Sequence, residues 1–427
     1  MISRKKWIKG VLLILIICMA IAGGFYLYIQ YKINQIKSTL NVCEVQQENF
    51  KTTIPFNYVK NWIIVKVRFG VSDKEYDFIV DTGSPTVFSD SLIREVGHEN
   101  FSKIAVITDT SSHAFNDYVV TTDDLNLGGI SFNHVGALVV NNSEFGMLNC
   151  ISPYGIIGYN ILQVGIYQID YLNNQITITD QLDSLRNVGT IQWVNYTTIS
   201  QETPVIRASL NDSISLNLTF DTGYSGFITL SSQKLFEKLN ICCQDQTARY
   251  HTIPTIKITR THETESYEKL LFKGATLSVD SIEVKDIIVP VSNTPESPSS
   301  NLIGNKFFEH FLLTLDYRNK RVGFTPNGKR FHPEESTGFG FSFSPEGYTL
   351  IITSVYVGTE AEKIGLQPGD TIHSINDLVI SELNTSDFCQ IFRNEIQLIN
   401  EQDTLITLGV WKHGQICRHN FLKIRLL

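Results

Sequence analysis

The sequence predicts a mainly β protein: a duplicated β core, one apolar helix ahead of it, and a smaller α+β module at the C-terminus. Three observations carry this. Short runs of β-type residues recur from about residue 54 onward, a strand–turn–strand–Asp-Thr-Gly unit occurs twice, and the chain opens with a basic flank followed by an apolar stretch.

The opening stretch is a targeting segment. Arg4, Lys5, Lys6 and Lys9 precede an apolar run of 19 residues from Val11 to Ile29. That approaches the roughly 20 residues a helix needs to span a bilayer. The basic flank places the N-terminus in the cytoplasm and the rest outside. A cleaved signal peptide is the alternative, because Ala20-Ile21-Ala22 before Gly23 has the small-x-small pattern. The run continues through Phe25-Tyr26-Leu27-Tyr28-Ile29, which favours an uncleaved anchor. Either way the bulk of the chain is exported, secreted or periplasmic if the segment is cleaved. Residues 1–30 are thus expected as cytoplasmic tail and anchor, and the polar stretch 31–53 as a linker.

Composition narrows the function classes. A net charge of -8, without long basic runs beyond the N-terminus, gives no support for nucleic-acid binding. Histidines such as His251, His262, His310 and His332 never fall at metal-ligand spacing, so no metal and no cofactor is expected. The 7 cysteines are too dispersed for a disulfide scaffold, and adjacent Cys242 and Cys243 read as buried thiols.

The first β unit runs from Trp62 to Phe69, turns at Gly70 to Lys74, and returns through Tyr76-Asp77-Phe78-Ile79-Val80 to Asp81-Thr82-Gly83. The second runs through Val205 to Leu210, turns at Asn211-Asp212-Ser213, and returns through Ile214 to Phe220 to Asp221-Thr222-Gly223. The duplication extends further. Gly155-Ile156-Ile157-Gly158 precedes Ile169-Asp170-Tyr171, and Leu302-Ile303-Gly304 precedes Leu315-Asp316-Tyr317. From Gly158 to Asp170 and from Gly304 to Asp316 the interval is the same, 12 residues. A repeat this regular marks two equivalent lobes, residues 54–188 and 189–330. Asp170, Asp316, Tyr171 and Tyr317 lead into Asn-containing turns and read as structural.

On these residues, the stretch from about Ile54 to Pro326 resembles the retropepsin/pepsin-like aspartic proteases in the form with both lobes on one chain. The resemblance implies two β-barrel lobes with the cleft between them. It also implies that Asp81 and Asp221 meet at the lobe interface, with Ile156-Ile157-Gly158 and Leu302-Ile303-Gly304 crossing beside their loops. Two carboxylates that close cannot both ionise comfortably, so they titrate as a unit and activate a water. The ionised member takes the water's proton and the protonated one supports the developing oxyanion. Gly83 and Gly223 let backbone approach the carboxylates. Thr82 and Thr222 are expected to hydrogen-bond across the interface, and the Ser84 hydroxyl to reach the nearby carboxylate. Tyr224 departs from the family pattern, which leaves the second carboxylate one supporting donor short. A flap over the cleft is expected at Thr108-Asp109-Thr110-Ser111-Ser112-His113. Residues Gln244 to Lys269 are too irregular to read.

After Arg330 the pattern changes. Gly338-Phe339-Gly340-Phe341, a helical stretch from Thr359 to Ile364, Gly365-Leu366-Gln367-Pro368-Gly369-Asp370-Thr371-Ile372 and Ile375-Asn376 follow in turn. Residues 337–427 thereby resemble a PDZ domain. The resemblance implies that an extended peptide adds to a sheet edge. Its C-terminal carboxylate would meet the Gly338–Phe341 loop, with Phe339, Phe341 and a helix near Phe388 and Ile391 lining the pocket. The combined expectation is a membrane-anchored aspartic endopeptidase acting on protein or peptide substrates, with a PDZ module for recruitment or regulation. The rival is a non-catalytic extracytoplasmic platform that binds peptides with the same folds.

Overall fold

A computed structural model describes residues 4–108, 116–199, 202–253, 266–297, 299–331, 337–412 and 414–427. It is mainly β, as the sequence predicts. A helix spans Arg4–Leu40, and its segment Leu15–Leu40 is long and apolar enough to cross a membrane, with hydropathy 1.4 in its most apolar window.

The expected linker 31–53 is instead structured. The helix continues to Leu40, and the chain then lies against the N-lobe. The Gly136 N–H donates to the Val42 carbonyl at 3.1 Å, and the Gln163 amide donates to the Asn41 carbonyl at 2.8 Å. Strand Glu44–Val45 pairs with Ile130–Asn133, and strand Lys51–Pro55 pairs with Gln175–Thr179. Period-2 patterning is weak in so polar a stretch, and its strands are set by backbone pairing to distant partners.

The two lobes share a construction. In the N-lobe, strand Tyr76–Val80 pairs in parallel with Gly155–Ile157, with Val80 opposite Ile157. In the C-lobe, Ile214–Phe220 pairs in parallel with Leu302–Ile303, with Phe220 opposite Ile303. The N-lobe pair is largely buried on both faces and reads as a near-continuous apolar run, whereas Ile214–Phe220 alternates apolar and polar residues and becomes buried on both faces only at its end, Leu218–Phe220. A separate six-stranded sheet joins the lobes. At its centre Ile166–Asp170 pairs antiparallel with Phe311–Asp316. Asp170 and Asp316 are structural there. Asp170 is held by Asn173 and Arg186, and Asp316 by Asn319 and Arg321. Tyr171 and Tyr317 are buried, as expected of packing residues.

The C-terminal residues form an α+β unit around their own core of Phe339, Phe341, Leu350, Ile352, Phe388, Leu408 and Phe421, among others. Strands Phe341–Glu346, Thr349–Tyr356, Thr371–Ile375, Leu405–Lys412 and Gln415–Leu422 pair antiparallel, with helices Glu360–Lys363 and Thr385–Phe392. The longer helix starts on a capping box between Asn384 and Asp387, whose side chain and backbone N–H groups satisfy each other.

This unit is tied to both lobes. Strand Thr247–Thr252, inside the stretch the sequence left unread, pairs with Thr349–Tyr356, so the C-lobe sheet continues into the C-terminal unit. Tyr250 and Tyr356 stack across that seam with ring centroids 5.0 Å apart. On the other side, Cys150 of the N-lobe forms a disulfide with Cys389, 239 residues later. The expectation of no disulfide framework is corrected to that extent. Cys242 is exposed rather than buried, and Cys243 is half-buried.

Candidate active site

Each Asp-Thr-Gly follows directly on a buried strand. The strand's last pairing fixes where the aspartate backbone sits. The Asp81 N–H donates to the Ile157 carbonyl and the Asp221 N–H to the Ile303 carbonyl, each at 3.0 Å. The glycines Gly158 and Gly304 that follow those strands are tightly boxed. A Cβ on Gly158 would overlap the backbone of Pro85 and Thr86, and one on Gly304 the carbonyl oxygen of Tyr224. That close approach is the reason for glycine at the repeated position.

The two threonines lock the loops together. The Thr82 N–H donates to Thr222 Oγ1 at 3.1 Å and the Thr222 N–H to Thr82 Oγ1 at 3.0 Å. Each hydroxyl then donates onward across the interface, Thr82 to the Phe220 carbonyl at 2.8 Å and Thr222 to the Val80 carbonyl at 2.9 Å. Both side chains are fully buried, so all four bonds are sheltered from water.

This lock brings the carboxylates face to face. Gly83 lies against the Asp221 carboxyl group, where an added Cβ would be a tight fit at 3.1 Å, and Gly223 against that of Asp81, where a Cβ would overlap it. The Gly83 N–H donates to Asp81 Oδ1 at 2.7 Å and the Gly223 N–H to Asp221 Oδ1 at 2.8 Å. Burial, followed by the charge of Asp221, pushes the Asp81 pKa well above the usual carboxylate range. Burial also raises Asp221, but a hydrogen bond from the Asp81 side chain works the other way. Both carboxyl groups are thus held above the usual range and titrate as a pair, with Asp81 the more strongly raised. That difference could not be read from the sequence, in which the two triplets are identical.

Two expectations need correction. The Ser84 hydroxyl donates to the Pro85 carbonyl at 2.9 Å and not to a carboxylate. It is the Ser84 backbone N–H that supports Asp81, and the Tyr224 backbone N–H supports Asp221 in the same way. Backbone donors are indifferent to the side chain, so Tyr224 leaves the second carboxylate no poorer than the first. Its phenol turns away, toward the Ile228 carbonyl at 3.4 Å.

Other expectations fall elsewhere. Strands Phe101–Thr108 and Asn116–Thr122 form an antiparallel hairpin, but the flap residues Asp109 to His113 lie outside the described residues. In the C-terminal unit the Gly338–Phe341 loop is packed rather than open. Gly338 pairs with Ile424, Phe339 and Phe341 are buried in the unit's core, and Gly340 abuts Thr359. The groove of this unit, about 390 Å³, is lined instead by Lys60, Phe343, Pro345, Ile391, Ile396 and Leu398, among others. Of the expected lining only Ile391 is there.

Three contributors to the site were missed by sequence reasoning. The Asn305 amide donates to the Thr222 carbonyl at 2.6 Å and to the Asn61 carbonyl at 2.7 Å, bracing the second catalytic loop. The repeat gives no signal for it, because the residue after Gly158 is Tyr159. Trp62 also reaches this loop, through the Gly223 carbonyl, and Phe392 stacks on Trp62; neither carries a sequence signal. Export of the chain was the one hint that a cysteine pair such as Cys150 and Cys389 could bond.

No curated protein matches the sequence. Among solved structures, the aspartic proteinase from Irpex lacteus is similar over 65% of this chain and 98% of that one, at 14% identity and a TM-score of 0.42. Residues 65–161, which hold Asp81, Gly158 and the strands between them, match the model of the aspartyl protease family.

Proposed function

We propose that the chain is a membrane-anchored aspartic endopeptidase whose catalytic part lies outside the cytoplasm. The observation that carries this is the buried Asp81–Asp221 pair, each carboxyl set against the other's glycine and held by the reciprocal Thr82–Thr222 bonds. A water between the carboxyl groups gives its proton to Asp221 as its oxygen attacks the peptide carbonyl carbon. Asp81 gives its proton to the carbonyl oxygen, forming a neutral gem-diol. Collapse of the diol returns a proton to one carboxylate, breaks the C–N bond, and passes a proton to the leaving amine. Metal or covalent chemistry has no part in these steps.

Localisation rests on the N-terminal helix with its basic flank, and on the Cys150–Cys389 disulfide, which suits an oxidising compartment. In this reading the C-terminal unit is a PDZ-like module that takes an extended peptide end. The strand Phe341–Glu346 pairs with one neighbour, Thr349–Tyr356, among the described residues, leaving its other edge for such a peptide.

The test is cleavage of an unfolded protein by detergent-solubilised full-length chain across acidic to neutral pH. Cleavage that is lost in both Asp81→Asn and Asp221→Asn supports the reading. Activity surviving in either variant sinks the dyad, and a folded wild type that cleaves nothing points to a peptide-binding platform.

A further inference from the structure

The second catalytic loop is held from outside its own lobe. Trp62, 4% exposed, opens the N-lobe strand Trp62–Phe69. Its indole N–H donates to the Gly223 carbonyl oxygen at 2.7 Å. The residue it grips touches both carboxyl groups. The Gly223 N–H is bonded to Asp221 Oδ1, and the Gly223 Cα faces the Asp81 carboxyl with no space for a methyl group between them. Any movement of Gly223 is thus a movement of the dyad.

The duplicated fold supplies an internal comparison. In the C-lobe, the Thr203 hydroxyl points at the Gly83 carbonyl oxygen at 3.4 Å, the mirror of the Trp62 contact. The position is built in both lobes, but the bond on the Asp221 side is much the shorter and comes from a rigid ring. A hydroxyl at 3.4 Å is at the edge of hydrogen-bond range, whereas 2.7 Å is well inside it.

Trp62 is in turn held by the C-terminal unit. Phe392, the last residue of the helix Thr385–Phe392, stacks on it with ring centroids 6.3 Å apart and planes 23° from parallel. The Lys60 ammonium lies 4.2 Å from the Phe392 ring centroid. The helix cannot drift away from this contact, because Cys389 within it is bonded to Cys150. Arg393, which follows it, donates to the Cys150 carbonyl at 3.0 Å. A continuous series of contacts therefore runs from the disulfide through Phe392 and Trp62 to Gly223.

We propose that Trp62 is a positioning residue for the Asp81–Asp221 pair, and that Phe392 makes the C-terminal unit a working part of the catalytic centre. The unit is then required for turnover itself and does more than gather substrate. This rests on the protease reading above.

The test uses full-length chain in detergent, with the disulfide intact, and the variants Trp62→Phe, Phe392→Ala and Phe392→Tyr. Trp62→Phe keeps an aromatic ring and removes the donor. It is expected to lower kcat about tenfold, the equivalent of about 1.4 kcal/mol, with KM within about twofold of wild type. The alkaline limb of the pH–rate profile should move, because the proton shared by the pair depends on its geometry. Amide hydrogen exchange in the segment Leu218–Gly226 should quicken. Phe392→Ala should show the same changes in smaller degree, and Phe392→Tyr should restore them. The proposal is overturned if kcat, the pH limb and exchange in Trp62→Phe all stay at wild-type values. A loss confined to KM also overturns it, because Trp62 would then contact substrate. Should Trp62→Phe not fold, unchanged kcat and exchange in Phe392→Ala overturn it just as well. If the wild type cleaves nothing, the protease reading fails on its own, and the exchange arm still decides whether Trp62 and Phe392 hold the loop.

Discussion

Replacing Thr82 with valine tests the lock between the lobes most directly. The substitution keeps side-chain volume and β-branching but removes the hydroxyl. Two bonds are lost: the one Thr82 Oγ1 donates to the Phe220 carbonyl, and the one it accepts from the Thr222 N–H. Both orphaned groups lie in the buried interface, where Thr82 and Thr222 are each 0% exposed, so water cannot replace the lost partner. Each buried polar group left unpaired costs about 1–3 kcal/mol, so the pair costs about 2–6 kcal/mol. Against a typical total of about 5–15 kcal/mol, that is a large share. Thr82→Ser keeps the hydroxyl and deletes one methyl group, which should cost about 1 kcal/mol. The assay is urea unfolding of the detergent-solubilised chain, followed by tryptophan fluorescence. The expected order of midpoints is wild type, then serine, then valine well below. A valine variant within about 0.5 kcal/mol of wild type, or one no worse than serine, would refute the argument that these bonds hold the lobes in register.

Three further predictions concern the same site. Cleavage should follow a bell-shaped pH profile, with the acid limb set by protonation of both carboxyl groups and the alkaline limb by loss of the pair's single proton. The alkaline limb should lie above the ordinary carboxylate range, since burial and then Asp221 raise Asp81. Because both pKa values are raised on folding, the folded state binds more protons than the unfolded one between the ordinary carboxylate pKa and the raised values. The dyad's contribution to stability therefore grows as pH falls through that window. Urea unfolding of wild type against Asp81→Asn at a series of pH values measures this, and a difference that is flat or of opposite slope would count against it. Gly158→Ala and Gly304→Ala should each cost at least about 1–3 kcal/mol and most of the cleavage, since the added methyl would meet backbone that cannot move aside. Gly189→Ala, where an added Cβ meets nothing within 4 Å, is the control and should stay within about 0.5 kcal/mol by the same unfolding assay.

What could be read in advance was what is encoded locally and twice. The strand–turn–strand unit, the Asp-Thr-Gly turns and the glycine strands each occupy a few consecutive residues. Their recurrence at matched spacing implied two equivalent lobes, and the resemblance to the aspartic proteases implied the meeting of Asp81 with Asp221 and of Thr82 with Thr222. The C-terminal α+β unit was legible for the same reason, from its turn glycines and short helix. The packing of its Gly338–Phe341 loop was not legible, because burial of Phe339 and Phe341 depends on strands that fold back from elsewhere. The polar stretch 31–53 likewise gained structure only from pairing with distant strands.

The sequence by itself determined that two equivalent Asp-Thr-Gly loops exist and that their carboxylates belong together, because a duplicated local pattern folds into duplicated local geometry. Tertiary structure alone decided how the two halves differ. Burial raises Asp81 more strongly than Asp221, Trp62 grips the loop of Asp221 while Thr203 only approaches that of Asp81, and the C-terminal unit is fastened beside the site by Cys150 and Cys389. These are contacts between residues far apart in the chain, 161 positions for Trp62 and Gly223 and 239 for the disulfide. No periodicity or motif spans such separations. They follow from burial and close packing once the lobes have closed.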